Sequence, residues 1–199
     1  MDRVASTAVF TKISSGLFQL GKDSYDAASA AEQNMGAVET VFGSAADSII
    51  SKSQEAANAV GMSSSSYQEL AASIGGSMRS AVTDQGELSA KTQELISAGA
   101  DLSSVFGGSA AEAVGAMGAA LRGEFDPLER FGVFLNMNAV KAEMASRGMT
   151  GLSGAAEDAA KKQVIQSMIM EQAGQYMGNF GREAATAAGA QQRAAAAIE

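Results

Sequence analysis

Residues 109–135, SAAEAVGAMGAALRGEFDPLERFGVFL, hold the densest set of helix start and stop signals in the sequence. Ser109 and Glu112 have the S-x-x-E spacing of a capping box, which predicts that a helix begins after Ser109. An apolar face follows at steps of three and four residues, formed by Val114, Met117 and Leu121. Because glycine suits the position just after a helix, we predict that this helix ends at Gly123.

The second half of the stretch contains Pro127, the one proline in the sequence. We predict that Asp126 caps a new helix with Pro127 at its first position, where a missing N–H costs nothing, and that Glu129 completes a second capping box. Gly132 is placed to end that helix. The turn would present an apolar set to the core, consisting of Leu128, Phe131, Val133 and Leu135. We therefore interpret the proline as part of a corner between two helices.

Apolar stripes at helical spacing recur before this corner. One consists of Ala46, Ile49, Ser53, Ala56 and Val60, and a second consists of Tyr67, Leu70, Ile74, Met78 and Ala81. Gly61 is predicted to end the first stripe. The second is predicted to begin at a capping box, formed either by Ser65 with Gln68 or by Ser66 with Glu69.

Gly75 and Gly76 interrupt the second stripe, and glycine inside a helix costs about 1 kcal/mol relative to alanine. We expect the helix to bend there or a neighbouring backbone to come close. Alternation of β-branched or aromatic residues with polar ones is nearly missing, so strands are not predicted. The predicted fold class is all-α, with short-to-medium helices and glycine-rich turns arranged as a helical bundle or an elongated helical array.

A row of leucines spaced by seven residues, Leu88, Leu95 and Leu102, shares one helical face. We favour a core contact within one chain, because a coiled coil would sustain the repeat for longer, and a seam between copies is the alternative. Much of the remaining apolar content is alanine, and tryptophan is absent. This composition predicts closely approaching helices with thin interfaces.

The charge and composition of the chain argue against several functional classes. The net charge is −8, with 14 Lys and Arg against 22 Asp and Glu, which argues against direct sequence-specific binding of nucleic acid. Cysteine and histidine are absent, which removes disulfides, thiolate metal sites and the usual general base. Glu124 and Asp126 could form a carboxylate pair, but both have structural explanations and no third ligand or base is evident nearby. We predict no catalytic, cofactor-binding or metal-binding residues and no enzymatic activity.

The glycine-rich stretch RGMTGLSGAAED, residues 147–158, suggests a division of the chain into two parts. We predict a helical core region over residues 1–148 that contains the corner RGEFDPLERFG, and a glycine hinge followed by extended C-terminal helices over residues 149–199. A long helix in the second part is predicted to carry one apolar side, formed by Val164, Ile165, Met168, Ile169 and Tyr176. The tail from Arg182 onward has almost no bulky anchor, so we expect it to extend outward or fray.

The block DLSSVFGGSAAEAVGAMGAALRGEFDPLERFGVFLN, residues 101–136, resembles the most recognisable block of phage tail tape measure proteins. In that family Asp-Leu-Ala, a glycine and a helix lead into AL-x-GE-x-(D/E)-PL-x-x-x-G. The residues of this chain that form the corresponding block are Asp101, Leu102, Ser109, Glu112, Arg122, Gly123, Glu124, Asp126, Pro127, Leu128 and Gly132. Residues 27–49 resemble the family segment before the block, and residues 161–193 resemble the one after it, which usually runs through GDF-x-R to QQR. The likeness covers roughly residues 26–199.

The resemblance implies a virion structural protein that lies in the lumen of the phage tail and occurs in the host cytoplasm during assembly. Such proteins set tail length and leave ahead of the DNA at ejection. The implied partners are further copies of the chain, with a trimer expected, the tail tube protein, the distal tail and baseplate hub proteins, and the tail assembly chaperones.

Two departures from the family pattern matter. Phe134 stands where a small capping residue is expected, which weakens the predicted start of the next helix. Family members are also much longer, and even an unbroken helix of this chain would reach only about 300 Å at ~1.5 Å per residue. We therefore expect the chain to be the globular region of a tape measure protein, either a fragment or its ordered part.

Two other classes stay open on the sequence. One is a secreted or surface helical interaction protein, which suits an acidic, all-α chain without cysteine, although the Trp-x-Gly turn common in such proteins is impossible here. The other is a peptidoglycan-cleaving module of a tail protein. That activity would need a catalytic glutamate in an aromatic cleft, whereas Glu124 lies in the corner motif.

Overall fold

The computed structural model describes residues 29–183 and 186–198, and within these ranges the chain is helical with no strand. This confirms the all-α prediction. The helices are α1 (residues 29–42), α2 (Ala46–Val60), α3 (Ser64–Met78), α4 (Gln85–Phe106), α5 (Ala110–Leu121), α6 (Asp126–Glu129), α7 (Met137–Ser146), α8 (Gly154–Ala173), α9 (Asn179–Glu183) and α10 (Ala187–Ile198). In this part of the chain, no helix is both long and apolar enough to cross a membrane.

Side-chain caps set where several of these helices begin. The caps are Ser63 for α3, Asp84 for α4, Ser109 for α5 and Asn136 for α7. The predicted capping box at Ser65 or Ser66 is therefore wrong, since the hydroxyl of Ser63 accepts from the backbone N–H of Ser66 at 3.2 Å. Residues 63–66 are all serine, and each is a competent cap, so local preference alone does not select among them.

The long helix α4 lies at the centre of the fold, in contact with α2, α3, α5, α8 and α9. Its leucine row, Leu88, Leu95 and Leu102, is fully buried within the chain. This confirms the core contact and leaves no exposed leucine seam on α4. Gly99 lies beside this row, and a Cβ there would collide with the side chain of Val114 and lie 3.1 Å from its backbone nitrogen. The small residue thus brings α5 directly against α4.

The predicted apolar stripe of α2 is confirmed, because Ala46, Ile49, Ser53, Ala56 and Val60 are its buried residues. Within this stripe Ser53 forms a buried polar cluster. Its hydroxyl accepts hydrogen bonds from Gln68 Nε2 at 2.9 Å and Ser64 Oγ at 3.0 Å, and donates to the carbonyl of Ile50 at 2.7 Å. Burial of the Gln68 amide is tolerated because Ser53 satisfies it.

The C-terminal helices add to the same apolar core as the helices before residue 148. Val164, Ile165 and Ile169 of α8 are buried, as is Phe180 of α9. The domain boundary at residue 148 stays a prediction. The tail does not extend outward over Ala187–Ile198, because α10 packs against α2, while residues 184, 185 and 199 lie outside the described ranges.

Helix α3 continues through both glycines of its last turns, and a side chain approaches one of them. A Cβ at Gly75 would collide with the buried ring of Phe42 and with Val41, whereas at Gly76 the nearest atom, on Val41, is 4.0 Å away. The neighbour that comes close is therefore a pair of side chains from α1 and not a backbone, and it approaches Gly75 but not Gly76.

We expect Gly75→Ala to be less stable than Gly76→Ala by about 1–3 kcal/mol, the usual cost of overpacking a core. Both variants gain the same helix propensity, so the comparison isolates the contacts with Phe42 and Val41. Urea unfolding followed by circular dichroism measures the difference. Equal stabilities would show that these two side chains move aside at no cost.

Candidate functional site

The predicted capping box at the start of α5 is present. The Ser109 hydroxyl accepts from the Glu112 N–H at 3.2 Å, and Glu112 Oε2 accepts from the Ser109 N–H at 2.8 Å. The Ser109 N–H, followed by the charge of Arg130, holds the pKa of the Glu112 carboxyl below its usual range. This carboxylate is thus committed to starting the helix.

Arg130 connects the start of α5 to the corner. Its guanidinium lies 3.6 Å from Glu112 Oε2 and 4.7 Å above the ring centre of Phe131. Both charged side chains are more than half exposed, so the ion pair adds little stability by itself. The pair links the residue after α6 to the first turn of α5. The sequence offered no signal for this pairing, because the partners are 18 positions apart and belong to different turns of the chain.

The corner itself begins one residue earlier than predicted. Phe125 has helical dihedral angles (φ −89°, ψ −28°) and is the N-terminal flanking residue of α6, which places Asp126 first and Pro127 second in the helix. The side chain of Asp126 accepts no capping hydrogen bond, and the predicted box with Glu129 does not form. Pro127 still lies in the first turn, where an N–H has no helical partner to lose.

The predicted apolar face of the corner is confirmed. Leu128, Phe131, Val133 and Leu135 are all buried. Gly123 and Gly132 follow the ends of α5 and α6 with φ angles of +94° and +72°, which only glycine adopts readily. A Cβ at Gly132 would collide with the ring of Phe106, whose centre lies 5.1 Å from that of Tyr176 in an edge-to-face contact. Glycine at 132 therefore lets the corner close onto α4.

The two carboxylates proposed as a possible reactive pair lie on the surface. Glu124 Oε1 is 3.6 Å from Arg122 Nε, and both side chains are exposed. Glu124 and Asp126 border an open cleft of about 430 Å³ formed by residues 123–127. The described part of the chain holds no group of three or more acidic, histidine or cysteine side chains arranged to hold a metal ion. Both carboxylates therefore lie on the solvent-exposed side of the corner.

Asp101 is separate from the corner and has a role that the sequence did not predict. Its side chain is 6% exposed, and its two oxygens accept from the backbone N–H groups of Gly178 at 2.8 Å and Phe180 at 2.9 Å. One turn later, Ser104 Oγ accepts from Asn179 Nδ2 at 2.8 Å. The buried carboxylate needs these partners, since a buried carboxylate without one is very costly. The partner is far away in sequence and could not be identified from it.

Asn136 begins the helix after the corner despite Phe134. The Asn136 side chain accepts from the Ala139 N–H at 2.9 Å, and Phe134 projects outward with 63% of its surface exposed. The side chain of Gln172 in α8 holds the Phe134 backbone on both sides, accepting from its N–H at 2.9 Å and donating to its carbonyl at 3.0 Å. The unexpected phenylalanine is therefore fixed at the surface.

Shifted pKa values elsewhere have ordinary structural causes. Burial raises the pKa of Tyr67 to about 12. Hydrogen bonds from neighbouring Arg or Lys side chains lower the pKa of each of three solvent-accessible carboxyls, Glu143, Glu157 and Asp158. None of these shifts prepares a group for proton transfer near neutral pH.

No protein-family model, curated protein or solved structure matches this chain.

We expect Gly132→Ala to lose about 1–3 kcal/mol more stability than Gly148→Ala. The two glycines have nearly equal φ angles, +72° and +73°, so both variants carry the same left-handed strain, but the space around Gly148 is open. The difference therefore reports the contact with Phe106, and urea unfolding measures it. Equal losses would contradict a close packing of the corner against α4.

Proposed function

We propose that this chain is the globular helical region of a phage tail tape measure protein, a structural component of the tail lumen. The observation that carries the proposal is the corner within residues 101–136, the block that resembles the family. Gly123 and Gly132 have positive φ angles there, and Leu128 is fully buried. Residues that match the family pattern thus shape the turn of the backbone and its packing on the core. Such structural roles suit a protein that is a component of an assembly.

The charge of the chain supports the same role. In the proposed setting the protein takes part in tail assembly and length determination and leaves ahead of the DNA at ejection. A net charge of −8 would repel DNA that passes along the same lumen. No enzymatic step is part of the proposal.

An exposed apolar surface beside the corner supports assembly with other proteins. Phe106 and Phe134 are 40% and 63% exposed, and Met177 is 39% exposed. The ring of Phe106 lies against Gly132 and Tyr176, which are two positions before Phe134 and one before Met177. Neighbouring exposed apolar side chains commonly mark contact surfaces. The proposed partners are further copies of the chain, as a trimer, with the tail tube protein, the distal tail and baseplate hub proteins, and the assembly chaperones.

The proposal is tested with antibodies raised against the purified chain. We expect them to detect the protein in intact virions of the phage that encodes it and to find it depleted from particles that have ejected their DNA. A tail tube protein measured in the same samples serves as the control that stays with the particle. Detection only in culture medium, away from particles, would contradict the proposal and favour a secreted interaction protein.

We expect neither the unsubstituted chain nor the Glu124→Gln variant to cleave peptidoglycan, because Glu124 is an exposed side chain beside Arg122 and is not proposed to be catalytic. The unfolding free energy of the variant should stay within about 0.5 kcal/mol of that of the unsubstituted chain. The measurement is release of soluble fragments from purified peptidoglycan, with lysozyme as the positive control. Cleavage by the unsubstituted chain that is lost in the variant would contradict the non-enzymatic proposal.

A further inference from the structure

The short helix α9 attaches the C-terminal end of the described chain to α4. Asp101 accepts from the N–H groups of Gly178 and Phe180, and Ser104 accepts from the side chain of Asn179. The ring of Phe180 is 3% exposed and packs beside Gly61, where a Cβ would lie 3.0 Å from two ring atoms. Three consecutive residues therefore carry both the polar and the apolar parts of this attachment.

Helix α10 has much weaker apolar anchoring than α9. Among its residues whose side chains are described, Ala196 is the one buried apolar side chain, and Ile198 is 87% exposed. A 12-residue helix is marginal in water on its own. Its position against α2 therefore depends strongly on where α9 holds the chain.

The attachment contrasts with the packing of the preceding helices. Helices α2, α3, α4, α5 and α8 share one apolar core, in which Leu95, Leu102 and Met117 are fully buried. Gly178, with a φ angle of +78°, lies immediately before α9 and permits the sharp change of direction there. Helix α9 adds a single buried side chain, that of Phe180, to this core, so the end of the chain has far less apolar anchoring than the helices before it.

We propose that α9 and α10 form a strap that opens as one unit while α2 to α8 stay folded, with the Asp101 carboxylate as its latch. Opening would uncover the turn after α2, because the ring of Phe180 and the side chain of Gln192 both lie against Gly61. That turn borders a cavity of about 360 Å³ between Met62 and Ala195. The inference rests on these contacts and does not depend on the proposed function.

The test is hydrogen–deuterium exchange on the full chain carrying Asp101→Asn. The amide keeps one acceptor oxygen but turns an NH₂ group toward the other backbone N–H, so one hydrogen bond of the latch is lost. We expect amides of α9 and α10 to exchange about 10- to 100-fold faster, as follows from losing a hydrogen bond to a charged acceptor. In the unsubstituted chain, the amides of α9 and α10 should share one opening free energy that lies below the opening free energy of the amides in α4 and α5.

Glu94→Gln is the matched control, since it makes the same chemical change at an exposed position of α4 and should leave all rates unchanged. Ser104→Ala removes the acceptor of Asn179 and should give a smaller acceleration in α9 and α10, which provides the test if Asp101→Asn does not fold. Exchange of α9 and α10 with the same opening free energy as α4 and α5 would overturn the proposal, because the end of the chain would then open only when the whole fold unfolds. Unchanged exchange in α9 and α10 would overturn it as well.

Discussion

The close contact between α4 and α5 at Gly99 is the constraint on which the rest of the fold depends. A Cβ at this position would meet both the side chain and the backbone of Val114. A flexible side chain can rotate away from such a collision, but a helix backbone can move only as a whole. The scarcity of large side chains in the sequence has its structural counterpart here, since helices without bulky residues gain burial by approaching closely.

One stretch of α4 contacts several other parts of the chain. Gly99 packs against Val114 of α5, the Asp101 carboxylate binds the backbone before α9, and Leu102 lies fully buried in the core. Phe106, at the end of the helix, contacts Gly132 in the corner and the ring of Tyr176. These contacts lie within about two turns of one helix, with Gly99, Leu102 and Phe106 on one face and Asp101 on another. The corner and the C-terminal helices therefore have their positions fixed by the same segment.

Features that depend on neighbouring residues were predicted well from the sequence. The buried stripe of α2, the capping box at Ser109 and the buried face of the corner all follow from helical periodicity or short-range hydrogen bonding. The errors arose where several residues could serve equally, as with the serines before α3, or where one dihedral angle decided the outcome, as at Phe125. The partners of Asp101 and Arg130 could not be predicted, because they depend on how distant segments come together.

The most direct test of this account is the unfolding free energy of Gly99→Ala compared with Gly115→Ala. Gly115 lies in α5 with open space around its Cβ position, so alanine there should raise stability by up to about 1 kcal/mol through helix propensity. At Gly99 the same change forces α5 away from α4, and we expect a loss of about 1–3 kcal/mol or more. Urea unfolding of both variants measures the difference. If Gly99→Ala is as stable as Gly115→Ala, the close approach of α4 and α5 is not the constraint that organises this fold.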